Sequence, residues 1–335
     1  MAANIRDVAE RAGVSVGTVS NVLNHRNNVS PDVAARVREA IVELGYVRND
    51  AARQLRAGRS RSIGLVVPDI GNPFFAEVAR GAERRAAEDG MAVLIVTSDG
   101  DPTRESSLLE LFLEQRVHGV LITPASDDHT VLHRLAEAGT PVVLVDREAD
   151  DLALSWVAVD DKEGGRLAAS HLLSLGRRRL AFVAGPRTTR QVADRLEGAR
   201  EAVATVSGAT LEVLEQPALT VLHGRAAGEA LRGRAPADRP DAVFAANDLL
   251  AVGVLQALSM MSNVRVPDDI ALVGYDDIDF AAATVVPLTS VRQPAATMGY
   301  AAVDMLLNAE TDAAHQRSIR YQPELVPRQS TVPVD

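Results

Sequence analysis

The 335-residue chain contains no cysteine. That excludes disulfide staples, thiolate metal sites and cysteine nucleophiles, and it argues against a small secreted scaffold. Lysine is nearly missing too: Lys162 is the only one, so arginine carries almost all the positive charge. No apolar run approaches the ~18 residues a membrane helix needs. The N-terminus, MAANIRDVAE, meets charge at once and lacks the apolar stretch of a secretory signal, so the expected compartment is the cytoplasm. Disorder is excluded by a hydrophobic share of 47% against 24% charged residues. The length exceeds what one core usually serves, so two or three folding units are expected.

The charge that is present is unevenly placed. The net value is −10, yet residues 1–62 carry ten arginines against six acids and are basic by four charges. A basic head on an acidic body suggests that the head meets a polyanion while the body keeps the molecule soluble.

The head reads as three short helices. Ile5, Val8, Ala9 and Ala12 recur at helical spacing and stop at Gly13. Ser15 is placed to cap a second helix running to Leu23, with Val19, Val22 and Leu23 inward. Ser30-Pro31 opens a third, striped by Val33, Val37, Ile41 and Leu44 and ended by Gly45. Ala9 followed by Gly13 and then Thr18-Val19-Ser20 is helix-turn-helix spacing: a small residue for close approach, then a glycine for the turn. The second helix is then the one that enters the major groove. Val16, Gly17 and Asn21 lie on its outward face, and Thr18 and Ser20 suit phosphates.

From residue 62 the period changes. Runs of branched residues at 63–67, 92–96, 119–123, 141–145, 180–184, 242–246 and 270–274 alternate with amphipathic stretches such as 75–89, 107–115 and 164–175. Apolar strands alternating with helices define an α/β class with parallel, doubly wound sheets. Such sheets bind ligands beyond the carboxyl ends of their strands. Asp146-Arg147, Asn247 and Asp276 directly follow predicted strands and are candidates for that reason.

Two motifs are decoys. Gly13-Val14-Ser15-Val16-Gly17 fits a hydrolase nucleophile elbow, but a helix precedes it where a strand is required. His129 and His133 stand four apart without the glutamate of a zinc-hydrolase helix. No glycine-rich phosphate loop and no nucleophile–base pair stand out. The reading is therefore not an enzyme, with no catalytic residue, metal or cofactor.

The chain also resembles a known family. The run from Ile5 to Asn24, Val29-Ser30 and Leu44-Gly45-Tyr46 look like the DNA-binding head of the lactose-repressor (LacI/GalR) family of bacterial regulators. The likeness continues through Asn49-Asp50-Ala51-Ala52-Arg53-Gln54-Leu55, Asn72-Pro73-Phe74-Phe75, Arg195-Leu196-Glu197-Gly198, Ala246-Asn247-Asp248 and Gly274-Tyr275-Asp276-Asp277. It implies a helix-turn-helix domain at 1–48, a hinge helix and linker at 49–61, and an effector-binding and dimerisation body at 62–335. That body resembles a periplasmic sugar-binding protein, with an N-lobe of about 62–160 plus 292–319 and a C-lobe of about 161–291 plus 320–335.

The resemblance assigns DNA contacts to Arg6, Ser15, Val16, Gly17, Thr18, Ser20, Asn21, Asn28, Ser30, Asn49 and Arg53, and gives Leu55 the place of a minor-groove wedge. Val16 and Gly17 cannot make bidentate base contacts, so the operator should differ from the lactose one. It assigns effector contacts to Asn72, Phe74, Phe75, Asp146, Arg147, Thr189, Gln191, Arg195, Asn247, Asp276 and Gln293, the pattern of ribose-binding proteins and ribose-type repressors. One position departs: Leu219 stands where that group stacks an aromatic. The implied function is a sequence-specific repressor of carbohydrate genes, binding a palindromic operator and released by a monosaccharide such as ribose. The alternative is a corepressor-type regulator answering to a purine, nucleoside or phosphorylated metabolite. A two-fold operator demands a homodimer, and no leucine heptads appear before Asp335 to build a tetramer. The expected partners are thus operator DNA, a small-molecule effector and a second copy, without a membrane.

Overall fold

The computed structural model describes residues 3–23, 29–46, 60–126, 128, 130–149, 154–260, 264–308 and 317–332. The chain divides into two compact units, Met1–Ser60 and Arg61–Asp335. Asn28, Asn49, Arg53, Leu55 and His129, with most of the expected hinge, lie outside the described residues.

The head holds α1 (Ile5–Ala12), α2 (Val16–Leu23) and α3 (Pro31–Glu43) around Val8, Ala9, Ala12, Val19, Val22, Val37 and Ala40. Gly13 closes α1 in the left-handed region at φ 64°, the conformation a tight turn needs and glycine adopts without a Cβ clash. Ser15 accepts a hydrogen bond from the Thr18 amide at 3.1 Å, which starts α2 as expected. At α1 a capping box unread from the sequence joins Asn4 and Asp7. Ser30 departs from expectation. It stands at the N-cap position of α3, but its side chain makes no capping hydrogen bond; Pro31 at the first helical position leaves one fewer free amide at this end.

The body is two six-stranded sheets, each flanked by helices, as the strand–helix alternation predicts. In chain order the first lobe supplies β1 (Ser62–Val67), α4 (Pro73–Glu88), β2 (Ala92–Thr97), α5 (Pro102–Glu114), β3 (Gly119–Ile122), α6 (Thr130–Glu137), β4 (Val142–Val145) and β5 (Ser155–Val159). The second supplies α7 (Asp161–Ser174), β6 (Arg179–Ala184), α8 (Arg190–Ala204), β7 (Thr210–Glu215), α9 (Val221–Arg232), β8 (Ala242–Ala245), α10 (Asp248–Leu255), β9 (Ala271–Asp276) and β10 (Thr289–Arg292). The chain then returns through α11 (Ala295–Asn308) and β11 (Ser318–Tyr321), and crosses once more to β12 (Glu324–Val326).

The orders are β11-β5-β4-β3-β1-β2 and β12-β10-β9-β8-β6-β7, parallel except for the β10–β12 pair. Three crossovers join the lobes, at 160, 293–294 and 322–323. Arg292 pairs with Asp276 inside the second sheet, and β11 stays in the first sheet to Tyr321.

The central strands are apolar on both faces and fully covered, as in β4 and β8, whose residues are all buried. Crossover helices pack directly on a neighbour, α7 on α8 and α11 on α4. Glycine permits this approach at Gly198, where an added Cβ would lie 1.8 Å from the Lys162 carbonyl oxygen.

Candidate functional site

The carboxyl ends of the strands face a cleft of about 650 Å³ between the lobes. All twelve residues expected at an effector site, Asn72, Phe74, Phe75, Asp146, Arg147, Thr189, Gln191, Arg195, Leu219, Asn247, Asp276 and Gln293, line it. They come from both lobes because all but Arg195, which stands in the second turn of α8, follow a strand or lie at the start of a helix at the sheets' carboxyl edge.

Asp146 follows β4 with φ 57°, a left-handed turn that aspartate tolerates better than most residues. Gln191 on α8 reaches across and donates from Nε2 to the Asp146 carbonyl at 2.6 Å and to its Oδ2 at 3.1 Å, so the lobes are already bridged here. Asp276 ends β9 with φ 104° and accepts from Gln293 Nε2 at 2.8 Å, and Gln293 itself sits in the second crossover. Asn72 caps α4 and Asn247 caps α10; Asn247 also donates to the Leu219 carbonyl at 3.3 Å. Both asparagines are therefore positioned by backbone before any ligand arrives. Phe74 and Phe75 pack edge to face, centroids 5.0 Å apart, and close the floor of the first lobe.

Arg195 is the electrostatic centre. It is 4% exposed, donates from Nε to Asp161 Oδ1 at 2.7 Å and from Nη1 to the Ala246 carbonyl at 2.7 Å, and stacks 3.6 Å from the Tyr275 ring centroid. Two of its five N–H donors are thus committed to holding it in place. Burial alone lowers its affinity for the proton, but Asp161, Tyr275, Asp276 and Asp146 outweigh that and hold it firmly charged.

Around this one cation stand three buried carboxylates. Burial pushes Asp146 well above the ordinary carboxylate range, with the Asp161 charge adding to it. Asp161 is raised by the same burial, against the pull of Arg195. Asp276 is pushed up to about 6 by burial, which Arg195 and Gln293 only partly oppose. Two buried acceptor atoms of the lining, Asp146 Oδ1 and Gln293 Oε1, have no hydrogen-bond partner among the described residues. Leaving a buried acceptor unmet costs about 1–3 kcal/mol. This arrangement favours a ligand that donates hydrogen bonds and carries no negative charge.

Three contributors were not legible beforehand. Asp161 and Tyr275 act through Arg195, and their meeting depends on α7 lying against the second sheet. Asp277, with φ 53°, packs its carboxylate against Arg292 at 2.7 Å and Arg328 at 2.6 Å. Those two arginines flank the second and third crossovers. The doubled aspartate after Tyr275 was the available signal.

In the head, Val16 and Gly17 are exposed at the start of α2, with Thr18, Ser20 and Asn21 half-buried beside them and Arg6 exposed on α1. This leaves the expected reading surface of α2 open. Among the described residues no helix is long and apolar enough to cross a membrane, and no cluster of three or more potential metal ligands occurs.

A helix-turn-helix head followed by a two-lobed body of the periplasmic-binding type defines the class of ligand-responsive transcriptional regulators. Comparison with known proteins agrees. Residues 4–49 match the model for bacterial regulatory proteins of the lacI family, and residues 169–331 match a periplasmic binding protein-like domain. The transcriptional regulator DegA of Bacillus subtilis is 33% identical, with all of both chains covered. The HTH-type transcriptional repressor PurR of Aliivibrio fischeri is 33% identical over 98% of each chain. The ribose operon repressor of Escherichia coli is 34% identical over 98% of this chain and 99% of its own. Among solved structures, the lac repressor dimer bound to operator and the anti-inducer ONPF superposes with a TM-score of 0.84 at 27% identity, covering 99% and 100% of the two chains. The regulator CelR in complex with cellobiose gives 0.72 at 34% identity, covering 98% and 99%. The chain belongs to the lacI family of bacterial transcriptional regulators.

Proposed function

We propose that this regulator is a homodimeric repressor of carbohydrate-metabolism genes that binds a palindromic operator through α2 and releases it when a neutral sugar fills the cleft. In this reading a monosaccharide ring such as ribose lies between Asp146 and Arg147 on one lobe and Arg195, Asn247 and Asp276 on the other. Carboxylates accept from vicinal hydroxyls, while the remaining guanidinium donors of Arg195 meet ring or hydroxyl oxygens. Phe74 and Phe75 offer apolar surface to the C–H face.

The observation that carries the reading is the buried charge of the cleft: the carboxylates of Asp146 and Asp276 in the lining, Asp161 behind them, and two lining acceptor atoms without a partner among the described residues, around one buried arginine. A phosphorylated metabolite would set its anion against those carboxylates. A sugar touching both lobes favours one lobe arrangement over the other. Ligand and operator then bias the same two-state element, and each changes the other's affinity by the same factor.

The test is fluorescence anisotropy on an operator recovered by binding-site selection, titrated with and without a panel of sugars, purines and sugar phosphates, with sedimentation to establish the dimer. Weaker operator binding with a neutral sugar supports the proposal. Tighter binding with a purine or a phosphorylated compound replaces it with the corepressor alternative. No effect of any ligand ends the claim of regulation through this cleft.

A further inference from the structure

The Asp276 carboxylate stands on a corner that does not hold its shape by itself. Asp276 has φ 104° and Asp277 φ 53°, two successive residues in the left-handed region that residues other than glycine rarely adopt. Such a conformation persists only where the surroundings impose it. Gln293 holds the Asp276 side chain, and Arg292 and Arg328 hold that of Asp277. The backbone of the corner is held from beneath, by two residues that are not among those lining the cleft.

Asp248, the first residue of α10, is fully buried. Its Oδ2 accepts from the Ile278 amide at 2.9 Å, and its Oδ1 accepts from Ser290 Oγ at 2.7 Å. Ser290, equally buried on β10, in turn accepts from the Asp277 amide at 3.1 Å. The amides of both residues after Asp276 are thus tied, directly or through one hydroxyl, to a single carboxyl group. Gly274 on β9 makes room for it: an added Cβ there would lie 2.0 Å from Asp248 Oδ1. Burial, with the Asp276 charge adding to it, pushes the Asp248 carboxyl well above the ordinary range. An apolar side chain of similar size would fill the space without that penalty, but it would leave the Ile278 amide and the Ser290 hydroxyl unmet and the corner free to relax.

We infer that Asp248 and Ser290 are positioning residues for effector recognition: without touching the ligand, they fix the backbone corner from which Asp276 reaches it. This rests on the placement of Asp276 against the ligand proposed above, and not on the ligand being a sugar. A carboxyl group accepts hydrogen bonds at both oxygens and a carboxamide at one. Asp248→Asn therefore keeps the size of the side chain but leaves either Ile278 or Ser290 without its acceptor. Ser290→Ala is the milder change, removing the link to the Asp277 amide while the Ile278 bond stays.

Isothermal titration of the full chain with ribose, glucose, adenine and adenosine identifies the tightest binder, which then serves for every variant. Thermal unfolding establishes that each variant is folded at the titration temperature; if Asp248→Asn is not, Ser290→Ala carries the test. Asp248→Asn lowers affinity about tenfold and Ser290→Ala about fivefold, the range of one or two buried hydrogen bonds. The decisive readout is the same substitutions in an Asp276→Asn background, where the contact being positioned is already weakened. There each changes affinity by about twofold or less, although each still lowers the unfolding midpoint. A residue that only stabilised the lobe, or one acting through the neighbouring Asn247, would cost as much in that background as in the unmodified chain, and such additivity overturns the inference. Unchanged affinity in the single variants overturns it as well. A nucleobase or nucleoside as the tightest binder overturns the sugar reading, while the same cycle still decides the positioning role. Binding of none of the four removes Asp276 from recognition, and the inference falls with it.

Discussion

Ligand binding should be linked to protons, with a sign fixed by Asp276. Burial pushes its carboxyl up to about 6, far above the ordinary 3.8. A sugar hydroxyl donating to this group favours its ionised form, so binding pulls its pKa down. Between the two values the free protein holds more protons than the complex. Affinity therefore rises with pH through this window, levels above about 6, and binding near pH 5.5 releases a proton. If the ligand restored Asp276 fully to 3.8, affinity between pH 4 and pH 7 would change by about fiftyfold, or about 2.4 kcal/mol. Asp146, raised by the same burial, acts with the same sign.

The linkage also appears in folding. A carboxyl whose pKa is raised in the native state binds more protons folded than unfolded between 3.8 and about 6. The unliganded protein accordingly loses stability as pH rises across that window, and ligand returns it. Titration calorimetry with the tightest-binding sugar, at pH 5.5 and 7.5 and in buffers of different ionisation enthalpy, measures both affinity and proton release. Asp276→Asn should flatten most of the dependence. Proton uptake on binding, or affinity that improves as pH falls, would refute the argument that the ligand's hydroxyls meet ionised carboxylates.

Two further outcomes follow from packing and ion pairing. Asp277→Asn removes the charge held by Arg292 and Arg328; Arg292 is half exposed, so the expected loss is about 2–3 kcal/mol, read by thermal unfolding. Arg328→Met added to that variant should cost little more, because the shared pair is already broken, whereas full additivity would show the two act separately. Gly198→Ala sets a methyl 1.8 Å from the Lys162 carbonyl oxygen, backbone that cannot swing aside. Forcing α7 from α8 costs 1–3 kcal/mol or more in chemical denaturation, and an unchanged midpoint would contradict the close packing.

Apart from the edge strand β2, whose apolar run at 92–96 also stood out, the legible strands were those buried on both faces. β1, β3, β4, β6 and β8 are runs of branched residues with a single reading, and β9 shares the pattern. β5 is SWVAV and β10 is TSVR, too short or too mixed to stand out, while β7 alternates as an edge strand and keeps Glu212 and Glu215. β11 and β12 take shape from the strands they join, not from any run of their own. The same division runs through the cleft. Asp146, Asn247 and Asp276 were readable because a polar residue directly after an apolar strand sits at the carboxyl edge whatever the strand order. Asp161 and Tyr275 depend on which strands and helices are neighbours, and that is a property of the assembled sheets.

The placement of Gln293 and Asp277 ties recognition to motion. Gln293 occupies the second crossover and holds Asp276 directly; Asp277, the next residue, is gripped by arginines on either side of the second and third crossovers. The carboxylate proposed to meet the ligand is thus anchored to the segments that join the lobes. Gln191 donates to Asp146 from the opposite wall, so the lobes touch through this side chain at the crossover end. A ligand held between Asp146 and Asp276 adds hydrogen bonds across an interface that touches at that edge. On this geometry Gln191→Ala should diminish operator release even at saturating ligand, where loss of affinity alone would leave it intact. Undiminished release at saturation would show that the bridge plays no part in the switch.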